Sequence, residues 1–138
     1  MGLREKLSKG QFVFTAEIGP PKGVDLEKTM AEVRAMGDQV DAINVTDLQG
    51  GLMKMGSLAL SHLLIDEGKE PIFQLTASAR NRLVVQSEML SAHALGIRNV
   101  LLLGGDPPSI GDHKDAKAVY DLDTMGLFGH LNNVGGTV

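Results

Sequence analysis

The chain has 138 residues, 43% of them hydrophobic and 22% charged, with a formal net charge of -4 and no cysteine. This is the composition of a soluble globular protein; it excludes a disordered or collagen-like chain, disulfides, thiolate catalysis and cysteine-held zinc or iron–sulfur clusters. The acidic balance and 4% aromatic content argue against nucleic acid as a partner, and no segment has the apolar core of a signal peptide or the roughly 20 apolar residues of a membrane span, so a cytoplasmic protein without a membrane partner is expected.

Phe12 to Ile18 predicts a first strand. Asp25 then stands as the N-cap of a helix whose Leu26, Met30 and Val33 share one face and whose end is marked by Gly37. Asp41 to Thr46 predicts the second strand, followed by a helix over Ser57 to Glu67 that stops at Gly68. Pro71 to Thr76 is the third strand; after it a helix from about Asn81 carries Val85, Met89 and Ala92 on one stripe and ends at Gly96. Val100 to Leu103 is the fourth strand. A less regular helix follows Asp123, and the glycine-rich segment 131–138 is expected to be a disordered tail. Strict alternation of strands and helices predicts an α/β fold with a parallel sheet and right-handed crossovers. No linker divides residues 1–138, which are expected to form a single domain.

Side chains alternate along a strand, so each strand can be divided into two faces. Phe12, Phe14, Ala16 and Ile18 fall on one side of the first strand and Val13, Thr15 and Glu17 on the other. Likewise Ile43 and Val45 oppose Ala42, Asn44 and Thr46, and Phe73 and Leu75 oppose Ile72, Gln74 and Thr76. An antiparallel sheet with one wet face would give the same pattern, but parallel sheets are normally covered on both faces. The polar face is therefore expected to gather Glu17, Thr46, Gln74, Thr76 and the Gly104-Gly105-Asp106 corner at the C-terminal edge of the sheet, where α/β proteins build their sites.

Glu17 sits in Phe-Thr-Ala-Glu-Ile-Gly-Pro-Pro, where apolar neighbours would favour a proton-donating carboxyl; a structural carboxylate hydrogen-bonded to the next strand fits equally. Asp106 reads either as a ligand contact or as a turn residue preceding Pro107. Gly104-Gly105 leaves room for a flat ligand or phosphate, or simply makes a tight turn. No P-loop or Gly-x-Gly-x-x-Gly spacing is present. His62, His93, His113 and His130 are scattered over different elements, so no metal site is expected. Ser57, Ser61 and Ser91 lack a nucleophile context and read as caps or helix surface.

As a set, Phe14-Thr-Ala-Glu-Ile-Gly-Pro-Pro-Lys22, Asn44-Val-Thr46, Gln74-Leu-Thr76, the helix Arg80 to Leu90 and Gly104-Gly-Asp-Pro-Pro108 resemble the methylenetetrahydrofolate reductase family, in register from about Gln11 to Leu127. The resemblance implies a flavin-containing (β/α)₈ barrel of one-carbon metabolism, serving tetrahydrofolate interconversion and methionine biosynthesis. Such an oxidoreductase reduces 5,10-methylenetetrahydrofolate to 5-methyltetrahydrofolate with non-covalent FAD. It further implies that Glu17 is the general acid that helps open the folate's imidazolidine ring, and that Thr46 hydrogen-bonds the isoalloxazine. Gln74 stands where some relatives have a flavin-facing histidine. Gly104, Gly105 and Asp106 match a corner that is often Arg-Gly-Asp, whose aspartate lies between flavin and pterin; here Gly104 replaces the arginine. The electron donor, NAD(P)H or a reduced ferredoxin, is left open.

A closed barrel of this type takes about 250 residues and eight strands, so the chain is expected to be the N-terminal half, apparently truncated. Its first and fourth strands would then be open edges. The alternative to a reductase fragment is a non-catalytic half-barrel that pairs with itself, as a homo-oligomer, or with a partner chain.

Overall fold

The computed structural model describes residues 2–134. Four strands, β1 (Thr15–Ile18), β2 (Ala42–Val45), β3 (Pro71–Thr76) and β4 (Asn99–Leu103), form one sheet in the order β1-β2-β3-β4, with every neighbouring pair parallel. Helices α1 (Leu3–Ser8), α2 (Glu27–Met36), α3 (Ser57–Asp66), α4 (Arg82–Ala94) and α5 (Thr124–Val134) precede, connect and follow the strands. This is the arrangement of half a (β/α)₈ barrel, as the alternating pattern predicts. Among the described residues no helix is long and apolar enough to cross a membrane.

The helix-facing side of the sheet is apolar and divides into two packed clusters. Ile18, Ile43 and Val45 meet Met30 and Val33 of α2 and Leu60 and Leu64 of α3. Phe73, Leu75 and Leu102 meet Val85 and Ala92 of α4 and Leu127 of α5. The connecting helices are bounded as their sequences require. Asn81 caps α4 by accepting the Val84 amide at 3.0 Å, and Asp123 takes the Gly126 amide at 2.6 Å at the start of α5.

Three expectations are corrected, and one element is added. β1 begins at Thr15, so Phe12 and Phe14 are not strand residues on the buried face: they are 81% and 62% exposed and pack edge-to-face with each other, ring centroids 4.9 Å apart. The reason is that Asp41 claims the Phe14 amide with a carboxylate oxygen at 2.8 Å, so the ladder with β2 starts only at Thr15↔Ala42. Asp25 does not cap α2 directly; its carboxylate accepts the Glu27 amide at 3.0 Å and Leu26 is the N-cap. Helix α5 continues through Val134, into the segment read as a disordered tail, because Leu127 is buried and Leu131 packs beside it on the β3–β4 cluster. Residues 135–138 of that segment lie outside the described residues.

The added element is α1, which the sequence reading does not include. It closes the N-terminal end of the sheet: Leu3 is buried, and its amide donates to both carboxylate oxygens of Glu70, at 3.0 and 2.9 Å, while Asn99 donates to the same carboxylate at 2.8 Å. Lys6 pairs with Asp41, which with the Phe14 amide holds the Asp41 carboxyl below the usual range.

At the other end of the chain Asp121 clips the segment before α5 to the start of α4, accepting the Arg82 guanidinium at 2.8 and 3.1 Å and the Arg82 amide at 2.9 Å. The guanidinium first, then the amide, draws the Asp121 carboxyl from 3.8 down to about 2. A carboxyl lowered on folding contributes stability above its unfolded value and loses it as pH falls through the folded one. The urea midpoint is therefore expected to be level above about pH 4 and to drop between about pH 4 and 2; Asp121→Asn should lower the midpoint at pH 7 and flatten the acid limb. A wild-type acid limb retained in Asp121→Asn would show that other carboxyls carry it.

A candidate cleft at the strand ends

The barrel-interior side of the sheet is built in rows by the parallel register. Glu17 of β1 lies across from Asn44 of β2, and Asn44 across from Ile72 of β3. One row higher, Gln74 of β3 lies across from Leu101 of β4, and above that Thr76 across from Leu103. Over these rows, at the C-terminal ends of the strands, is an open cleft of about 490 Å³. Glu17, Thr46, Gln74, Gly104, Gly105 and Asp106, the residues singled out from the sequence, all line it, with Asp47, Gln49, Thr76, Leu101 and Leu103. The expected gathering at one edge is present.

The residues differ in how they are held. Glu17 is exposed on the open face of β1, so the apolar surroundings expected of it are not supplied by its neighbours in sequence: Ala16 and Ile18 turn to the opposite side of the strand. Gln74 is buried, and its carbonyl accepts the hydroxyl of Ser57 at 2.8 Å. Ser57, expected as helix surface or cap, is fully buried at the start of α3 in that role. Thr46 is only 2% exposed, yet its hydroxyl oxygen has no hydrogen-bond partner, and Asn44 Oδ1 on the same face of β2 is likewise buried and unpartnered. Buried polar atoms are rarely left so without a purpose.

Asp106 does not wait for a ligand alone. One of its carboxylate oxygens accepts the Gly50 amide at 2.7 Å, so backbone from the loop after β2 meets the acid at the end of β4. The chain reaches that position because Leu48 takes the left-handed conformation (φ 49), a constraint typical of residues beside functional sites. Gly105 (φ +81) is required by packing: a Cβ there would lie 2.7 Å from Thr76 Cβ and 2.7 Å from Ser78 Oγ. Packing thus accounts for a glycine here, and the corner it makes lines the cleft.

Loops after three strands are tied together above the cleft. Asp112 accepts Lys22 Nζ at 2.8 Å and the Met53 amide at 2.9 Å, joining the loops after β4, β1 and β2. Lys22, then His113, then the Met53 amide hold its carboxyl far below the usual carboxylate range. The β2 and β4 loops touch backbone to backbone: a Cβ on Gly111 would lie 1.8 Å from the Gly51 carbonyl oxygen. Gly111→Ala is accordingly expected to force the loops apart, lowering stability by about 1–3 kcal/mol and releasing the Gly50–Asp106 contact; a urea midpoint equal to wild type would refute that close approach.

The most heavily bonded group was missed from the sequence. Asp47, directly after Thr46, is 4% exposed and accepts the Thr76 amide at 3.0 Å, the Thr76 hydroxyl at 2.7 Å and the Arg80 guanidinium at 2.6 and 3.3 Å. Arg80 also donates to Glu88 at 2.8 Å. Burial opposes the charge of Arg80, but the two carboxylates more than offset it and raise the guanidinium pKa. Asp47 lies two residues past the end of β2 and Arg80 four past the end of β3, and nothing in their spacing announces that they meet.

The sequence that builds this sheet and rim matches a known family: the family model described as methylenetetrahydrofolate reductase fits residues 2–136. The chain belongs to the methylenetetrahydrofolate reductase family. It is also 29% identical over 119 residues to methylenetetrahydrofolate reductase 2 of Schizosaccharomyces pombe, an alignment that takes in 83% of this chain and 19% of that protein. The chain thus spans about a fifth of the length of the curated relative it matches. For a reductase-family chain the placement of the cleft is as expected, since barrels of this kind carry their sites at the C-terminal ends of the strands.

Proposed function

We propose that this chain forms the N-terminal half of a flavin-dependent active site for reduction of 5,10-methylenetetrahydrofolate to 5-methyltetrahydrofolate, with FAD bound non-covalently and folate as substrate. The observation that carries this reading is the meeting of Glu17, Thr46, Gln74 and Asp106 on one cleft in a chain of this family. The donor set fits a flat, hydrogen-bonding heterocycle. Thr46 offers a buried, unpartnered hydroxyl, Gln74 an amide, and the Gly104–Gly105 corner puts no side chain over the opening. Thr46, Gln74, Gly104, Gly105 and Asp106 would hold the flavin, which supplies hydride when bound.

The chain's own part is positional and protonic. Glu17 stands on the exposed face of β1 with room for a substrate against it, where it would donate the proton taken up by the ring nitrogen released when the imidazolidine opens. Asp106, oriented by the Gly50 amide, places negative charge at the opposite side of the cleft, where it stabilises cationic character developing on the folate. Without the arginine of related corners, Gly104 contributes no charge here. The electron donor, NAD(P)H or ferredoxin, is assigned to neither class.

Purified chain is expected to take up FAD with a changed visible spectrum and, once the flavin is reduced with dithionite, to be reoxidised by methylenetetrahydrofolate. Glu17→Gln should leave FAD uptake unchanged and slow reoxidation by about 10²–10⁴-fold. A chain that leaves FAD free in solution would sink the cofactor assignment; unchanged reoxidation in Glu17→Gln would remove the acid.

A second reading rests on the sheet edges. β1 and β4 each pair on one side only, and Leu101 on the interior face of β4 is 39% exposed. Such edges recruit further strands, so pairing with a second copy or a partner chain is proposed alongside the reductase role. Light scattering after size exclusion decides it: a monomer at all concentrations would end it.

A further inference from the structure

We infer that Arg80 and Asp47 are a positioning pair for the cleft, fixing Thr46 and Thr76 at its rim. The inference rests on the flavin reading for its purpose, though not for its geometry. Asp47 follows Thr46 in the chain and stands at the end of β2; Thr76 ends β3 and lines the same cleft. The Thr76 amide donates to Asp47 at 3.0 Å, so this one N–H at the end of β3 is held by a side chain. The Thr76 hydroxyl donates to the same carboxylate oxygen at 2.7 Å.

Arg80 locks that carboxylate from the other side. Its two terminal nitrogens reach Asp47 at 2.6 and 3.3 Å, one of them also reaches the Thr76 carbonyl at 3.2 Å, and its Nε is bound by Glu88 of α4 at 2.8 Å. The planar fork makes these contacts together, which a lysine cannot do. The Asp47 side chain is 1% exposed and that of Arg80 11%, so both groups are committed to the protein. The consequence falls on Thr46. Its neighbour is immobilised by five donors, the Ser57 hydroxyl at 3.3 Å being the fifth, while its own hydroxyl is left without a partner, a rigid mount for one free hydrogen-bonding group.

The test compares Arg80→Met, Arg80→Lys and Asp47→Asn with wild type by amide hydrogen exchange without ligand and by FAD titration. In Arg80→Met the Thr76 amide should exchange at least tenfold faster, with Val45 and Phe73 unchanged. FAD should bind at least tenfold more weakly, and the visible band of the flavin still bound should shift. Arg80→Lys should restore the urea midpoint but not Thr76 protection or the band position. Asp47→Asn, which keeps one oxygen for Thr76, should lie between. Loss of folded protein alone lowers the bound fraction without moving the band. Thr76 protection equal to wild type in Arg80→Met, or lost together with Val45 and Phe73, overturns the inference. If Arg80→Met does not fold, Arg80→Lys and Asp47→Asn carry the same comparison. If wild type binds no FAD, the functional reading falls and Thr76 exchange alone still decides the pair.

Discussion

Asp47→Ala is expected to lower folding stability by about 3–5 kcal/mol, because it removes one half of a buried ion pair and leaves Arg80 with only one of its two counter-charges. Arg80 would keep Glu88 and the Thr76 carbonyl, which puts the loss toward the lower figure, but the Thr76 amide and hydroxyl would also lose their acceptor. An unsatisfied buried donor costs about 1–3 kcal/mol, and these losses share one carboxylate, so they do not add. The double variant Asp47→Ala, Arg80→Met should recover much of the loss, since an apolar replacement of both partners removes the stranded charge. Urea unfolding measures all of this. A loss below about 1 kcal/mol in the single variant would mean that Arg80 reaches solvent and that the pair is not buried in the sense argued.

What the sequence could reveal about this fold follows from the range of the signals. β3 was legible to the residue, Pro71 to Thr76, because a β-rich run is bounded by Pro71 on one side and leads into a capped helix on the other. The ends of α2, α3 and α4 were marked by Gly37, Gly68 and Gly96, each with positive φ. These are local features with local causes. The start of β1 was not legible, because Phe12 and Phe14 continue the alternation perfectly and only Asp41, distant in sequence, diverts the Phe14 amide. Helix α1 was missed for the same reason: it is six residues long, and Glu70 and Asp41 hold it from other elements.

The cleft was legible to the same extent. Alternation and parallel order place Glu17, Thr46, Gln74 and Asp106 on one rim without knowledge of any contact, and all four line the cleft. Their surroundings were not predictable in that way. Glu17 has apolar sequence neighbours but is exposed, since neighbours in a strand face away from each other. The Asp47–Arg80 pair and the Gly50–Asp106 contact cross between loops, where no periodicity relates one residue to another. Alternation and the resemblance to the reductase family reach the same residues; the contacts that support them depend on chain segments brought together only by folding.

The two phenylalanines of alternating runs separate these kinds of inference by experiment. Phe73→Ala is expected to lower stability by about 3–5 kcal/mol, the range for emptying a phenylalanine site in a packed core. Phe73 is fully buried among Leu75, Val85, Ala92 and Leu102, and it is flanked in β3 by Gln74, which faces the cleft, so the cavity would loosen the strand that presents that amide. Phe14→Ala should cost no more than about 0.5 kcal/mol, because the side chain is 62% exposed and packs chiefly on Phe12. Urea midpoints of the two variants decide between a first strand beginning at Phe12 and one beginning at Thr15. Equal losses would mean that Phe14 is covered, as an extended first strand beginning at Phe12 requires, and would return β1 to the longer boundary. A large loss for Phe73 alone would show that the alternation of β1 stops where Asp41 takes the amide, leaving Glu17 on a short strand that begins at Thr15.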